Sequence, residues 1–166
     1  MADNIEPDLS AYIAGRYVHL RRTAYLLCGD WHRAEDLVQA ALARVVVVAG
    51  RRQVDHLDAY TRRTLLRVYL TDSRRPWRKR ERSWPDPASN AAIEYDRTTA
   101  LAVLAALGSL PPRQRAVVVL RFWEDRSVAE TAEALGVTEG TVKSQTAKAF
   151  ATLRPALHNV HLELFR

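Results

Sequence analysis

The chain is poor in the residues that most catalytic, secreted or membrane-spanning proteins rely on. It has one cysteine, Cys28, among 166 residues, so no intrachain disulfide forms and a reducing compartment fits. Its five histidines stand at 19, 32, 56, 158 and 161. Only His158 and His161 have the spacing of a metal pair, and no cysteine or second cluster completes a site. No glycine-rich phosphate loop and no nucleophile motif occur, so neither an enzyme nor a cofactor is expected. The longest aliphatic run, Val45 to Ala49, is far short of the roughly 20 residues a membrane span needs. The opening residues are acidic and lack the apolar stretch of a secretion signal. A cytoplasmic protein is the resulting expectation.

What is present is a strongly uneven charge. The net charge is +6. Residues 51–82 carry 11 basic and 4 acidic side chains, while basic and acidic residues nearly balance elsewhere. A basic excess focused on 32 residues points to a polyanion, most often nucleic acid.

Nearly every segment has helical periodicity, and the fold class is all-α: two small helical domains joined by a flexible linker. The expected bounds are 9–82 for the first domain, 83–98 for the linker, 99–155 for the second domain and 156–166 for a tail. Helices are expected at 9–28, with Gly29 ending the first and Asp30 capping the second, and at 31–48. A third begins after Asp58 as N-cap and runs to Arg75, before Pro76. In the second domain helices are expected at 99–107 and 112–123.

The most informative stretch follows. Ser127 and Glu130 have the spacing of a capping box, Gly136 permits a left-handed turn, and Thr138 can cap the next helix. This is the pattern of a helix-turn-helix. On its second helix Val142, Thr146, Ala149, Phe150 and Leu153 share an inward face. Thr141, Ser144, Ala147 and Lys148 lie opposite, flanked by Lys143 and Gln145, and suit a major groove.

The helix before Pro76 is also two-faced. Ala59, Leu66, Tyr69 and Leu70 form one side, and Tyr60, Arg63, Arg67, Thr71 and Arg74 form a stripe that Arg75, Trp77, Arg78 and Lys79 extend. Cations interleaved with an aromatic ring suit unpaired strands, with charges on phosphates and the ring stacked on a base. The helix 31–48 instead sets Glu35, Asp36 and Gln39 opposite an apolar face, which suits a basic protein surface or plain solvent.

Ala34-Glu-Asp-Leu-Val-Gln39 after Gly29-Asp30 resembles the core-polymerase-binding segment of bacterial sigma factors. Leu110-Pro-Pro-Arg-Gln-Arg115, with the helix-turn-helix from Ser127 to Ser144, resembles region 4 of their extracytoplasmic-function group within the sigma-70 family. Tyr60–Glu81 is similar to the −10-reading region, most of all in the actinobacterial sigma-E-like subgroup. The resemblance covers residues 10 to 155 and implies an alternative sigma factor. Its implied partners are the β′ and β subunits of core RNA polymerase, promoter DNA and an anti-sigma factor. Glu35, Asp36, Leu37 and Gln39 would then face polymerase. Tyr60, Arg63, Arg67, Thr71, Arg74, Arg75, Trp77, Arg78 and Lys79 would open and hold the −10 element. Thr141, Lys143, Ser144, Gln145 and Lys148 would read the −35 duplex. Three places depart from the common pattern: Thr131 stands where a larger aliphatic is usual in a helix-turn-helix, Arg67-Val68 where many members have an asparagine, and Gln145 where many have arginine. The rival reading is a helix-turn-helix regulator that binds DNA without polymerase, which would need a dimer interface for two half-sites.

Overall fold

The computed structural model describes residues 6–75, 84 and 95–164. Three long helices come first: α1 (Glu6–Cys28), α2 (Trp31–Ala49) and α3 (Leu57–Ser73). Four follow: α4 (Tyr95–Gly108), α5 (Pro112–Val118), α6 (Val128–Leu135) and α7 (Glu139–Leu164). Val119–Trp123 continues α5 as a π-helical turn. The all-α expectation is correct.

Local signals set the boundaries where side chains can reach the backbone. Gly29 ends α1 with φ of 75°, and the Asp30 carboxylate accepts the Arg33 amide at 2.8 Å, capping α2. The valines 45–48 stay helical despite their local strand preference, with Val45 fully buried and Val46 and Val47 exposed. The start of α3 differs from expectation. His56 is its N-cap and makes no side-chain cap bond, while Asp58 lies inside the first turn. The carboxylate of Asp58 is engaged elsewhere, by Tyr12 Oη and Arg16 Nη2 of α1, each at 2.9 Å. α4 begins at Tyr95, four residues before the expected start.

One core runs through both halves of the chain. Leu20, Leu27, Leu37, Val38, Leu65, Leu66 and Tyr69 from α1–α3 pack with Ala116, Val119 and Leu120, and with Ala134 and Leu135 of α6. Fully burying a leucine such as Leu120 contributes about 2 kcal/mol. The two helical groups are therefore packed face to face.

The π-helical turn helps make that junction. The Glu124 amide donates to Val119 O at 3.0 Å, five residues back, so one extra residue is accommodated in the turn. The Glu124 side chain then points into the other half, where Thr23 Oγ1 donates to it and His19 Nε2 lies at 2.8 Å. Arg62 Nε stands 3.6 Å away, and Trp123 Nε1 donates to Thr23 Oγ1 at 3.1 Å.

Candidate nucleic-acid interface

The helix-turn-helix forms from its own caps. Ser127 Oγ accepts the Glu130 amide at 3.1 Å, and Glu130 Oε2 accepts the Ser127 amide at 2.8 Å. Those bonds hold the Glu130 carboxyl below its usual range. Gly136 turns the chain with φ of 65°, and its amide and that of Val137 satisfy the last carbonyls of α6. Thr138 Oγ1 accepts the Thr141 amide at 3.1 Å and opens α7.

The inward face of α7 is Val142, Ala149 and Leu153, all buried, with Thr146 half-buried and bonded to Val142 O. Phe150, expected on this face, is exposed instead and meets exposed Phe122 edge-to-face at 5.2 Å. Its position is at the margin of the stripe, where Phe122 supplies a partner outside the core. On the opposite side Lys143, Ser144, Ala147 and Lys148 are exposed, and Thr141 and Gln145 are half-exposed. All five residues expected to read duplex DNA are thus on one helix, where Thr141 Oγ1 pairs with Thr138 Oγ1 at 2.9 Å and Ser144 Oγ donates to Thr141 O at 3.1 Å. Thr131, the atypical residue of α6, is fully buried, and its hydroxyl has no hydrogen-bond partner among the described residues.

The basic stripe on α3 is divided. Thr71, Arg74 and Arg75 are exposed at its C-terminal end, and so is Arg67. Tyr60 and Arg63 are half-buried and line a cleft of about 460 Å³ against Glu130, Glu133 and Ala134 of α6. Arg63 Nη2 is paired with Glu133 Oε1 at 2.9 Å. No acid stands three or four residues from Arg63 along the chain. The acid comes from 70 residues away. Ala59, expected in the buried cluster, is exposed. The helix buries Thr61, Thr64, Leu65, Leu66, Val68 and Tyr69. Trp77, Arg78 and Lys79 lie outside the described residues.

On α2 Asp36 and Gln39 are exposed, and Glu35 is half-exposed and paired with Arg21 at 2.7 Å. Leu37 differs: it is 4 % exposed, inside the core, so it holds the helix in place and offers no surface to a partner. Beside this face Arg21 caps a flat stack of Trp31 on Tyr25, whose ring centroids are 3.9 Å apart.

Sequence reasoning missed Arg115. It is 4 % exposed and donates to Leu27 O at 2.8 Å, Tyr69 Oη at 3.1 Å, Leu107 O at 2.7 Å, Gly108 O at 3.3 Å and Leu110 O at 2.7 Å. The burial of Tyr69 pushes its phenol up, and the Arg115 charge opposes that shift. Cys28, beside this junction, is buried, and burial pushes its thiol up to about 11. The Pro112-Arg-Gln-Arg115 run was a visible signal, but its spacing alone did not say which arginine turns inward.

Among the described residues no group of three or more His, Cys, Asp or Glu could hold a metal ion, and no helix is long and apolar enough to cross a membrane.

Comparison with known proteins places this geometry. The family described as "Sigma-70, region 4" matches residues 100–153, which contain the helix-turn-helix. The chain is 36% identical over 166 residues to the RNA polymerase sigma-E factor of Streptomyces avermitilis, covering 94% of this chain and 88% of that one. It is 35% identical to the ECF RNA polymerase sigma factor SigE of Mycolicibacterium smegmatis, over 82% of this chain and 56% of that one. Among solved structures, the sigma factor RpoE of Bartonella quintana, crystallised with the anti-sigma factor NepR, superposes with a TM-score of 0.70. That likeness covers 91% of this chain and 97% of the other at 22% identity, and it speaks to the fold.

Proposed function

The chain belongs to the RNA polymerase sigma factors of the sigma-70 family, extracytoplasmic-function group, and from that membership we propose how its surfaces divide the work of promoter recognition. It is an alternative sigma factor: it joins core polymerase and directs initiation at particular promoters. Catalysis stays with polymerase, so the chain itself is not an enzyme, and it acts in the cytoplasm.

Residues 99–155 form the part that reads the −35 duplex. Thr141, Lys143, Ser144, Gln145 and Lys148 make the contacts. The exposed face of α7 behind a fully capped turn is the observation that carries this reading. Hydroxyls and the Gln145 amide suit base edges, and the two lysines suit phosphates or guanine acceptors.

Residues 9–82 serve the −10 element and polymerase. Arg67, Thr71, Arg74 and Arg75 track the backbone of an unpaired strand, with Tyr60 and Arg63 joining once α6 withdraws from them. By the family resemblance, Trp77, Arg78 and Lys79 would contact the same element. Asp36 and Gln39, with Glu35, face a basic surface on the β′ subunit, and β is a second contact. An anti-sigma factor is a further partner, one that would compete for these faces. Trapping an unstacked strand offsets the few kcal/mol that unstacking costs.

The test is transcription in vitro with sigma-free core polymerase and pooled promoter fragments from the source genome. Discrete new start sites sharing upstream −35 and −10 elements support the reading. Sequence-specific binding by the chain alone, without transcripts, would move it to an autonomous regulator. Asp36→Arg should lower core affinity about tenfold and leave duplex binding unchanged.

A further inference from the structure

The contacts of Arg115 have a common origin. Leu27 is at the C-terminal end of α1, and Leu107 and Gly108 are at that of α4. Carbonyls at helix C-termini lack intrahelical partners and carry the negative end of the helix dipole. One guanidinium therefore satisfies two helix ends, one from each half of the protein, and bonds α3 through Tyr69 Oη. Its flat face is covered by the Trp84 indole, with the ring centroid 4.3 Å from Cζ.

The indole fits only because both helices end at a glycine. A Cβ on Gly29 would stand 2.5 Å from Trp84 Cε3, and one on Gly108 would stand 2.7 Å from Cδ2. Gly29 needs glycine for its φ of +75° in any case. Gly108 has no positive φ, so the missing side chain there serves the ring. Trp84 also packs on the cluster of Ala106, Leu107, Leu110 and Val118.

We propose that the Trp84 indole, seated between Gly29 and Gly108 on the face of Arg115, is a latch that holds the α1–α3 half against the α4–α7 half. Withdrawal of the ring from this seat uncovers Arg115 and both glycines and loosens the junction in one step. Its consequence for promoter binding rests on the reading given above, because Tyr60 and Arg63 become available only when α6 withdraws. The latch itself is a property of the free chain.

The experiment uses the full chain in a Cys28→Ala background, with nitroxide labels at Val47→Cys on α2 and Ala147→Cys on α7, both exposed positions. Pulsed dipolar spectroscopy measures the distance between the halves. Gly108→Ala evicts the ring without altering Trp84 or Arg115, and Trp84→Ala removes it. Both should add a longer-distance population, raising the open-to-closed ratio about fivefold, as loss of one cation–π contact predicts. Trp84→Phe, which keeps a ring on the guanidinium, should stay near the parent. Unchanged helical circular dichroism separates opening from unfolding. Parent-like distances in both Gly108→Ala and Trp84→Ala would overturn the latch. No polymerase is present, so this result is independent of whether the parent chain supports transcription.

Discussion

The Thr141–Lys148 face of α7 and the Tyr60–Arg75 stripe of α3 carry similar chemistry, but the fold treats them differently. The first is exposed or half-exposed along its whole length. The second is open only toward its C-terminal end, with Tyr60 and Arg63 against α6. The α7 face is set by local bonds, from Ser127 to Thr141, within the α4–α7 half. The α3 stripe is bounded by a distant element, so its use depends on the arrangement of the two halves. A duplex reader can be preassembled, whereas the surface for an unpaired strand is partly withheld.

The heaviest blow to this comparison is loss of the scaffold that both faces share. Arg115→Met should leave buried carbonyls unsatisfied and cost about 3 kcal/mol, lowering Tm by about 10 °C in a thermal melt. A melt within a degree or two of the parent would mean that the junction contributes little. Next comes Lys148→Ala, which should weaken binding to −35 duplex about tenfold and reduce its salt dependence, with core affinity unchanged in a pull-down. Arg74→Ala should sharpen the contrast, lowering affinity for a single-stranded −10 oligonucleotide about threefold and sparing the duplex. Equal loss on both substrates would erase the division between the faces.

Thr131→Val tests whether the duplex reader stands on its own packing. It replaces a buried hydroxyl that has no partner among the described residues, and should raise stability by about 1 kcal/mol in denaturant titration. The smallest effect concerns Cys28. Its thiol is raised to about 11 from 9.0, so its neutral form is favoured by folding. This stabilisation is complete below pH 9 and declines as pH rises toward 11. Alkylation should be slow at pH 8 and speed up in denaturant, and rapid reaction in the native chain would show that the junction opens freely.

The residues that disclosed themselves in the sequence are those whose partners are near in the chain. Asp30, Ser127, Glu130, Gly136 and Thr138 act within a few residues, so spacing was enough to read them. Leu37 is buried on the apolar side of α2, although resemblance to a family put it among the contact residues. Asp58 looked like a cap because position cannot reveal that Tyr12 and Arg16 already hold its oxygens. Phe150 and Ala59 stand at stripe margins, where burial depends on which neighbour arrives. The Arg63–Glu133 pair and the inward turn of Arg115 span 70 and 88 residues, and no local pattern encodes such distances.

The π-helical turn at Val119–Trp123 has one more consequence. Each residue advances an α-helix by about 100°, so an extra residue in a turn re-phases everything after it. Here that offset aims Glu124 at His19, Thr23 and Arg62. The helix-turn-helix and the first half of the chain are therefore phase-locked, like two gears whose mesh is fixed by one tooth. Deleting a single residue from this turn would leave each gear intact and rotate the carboxylate out of mesh.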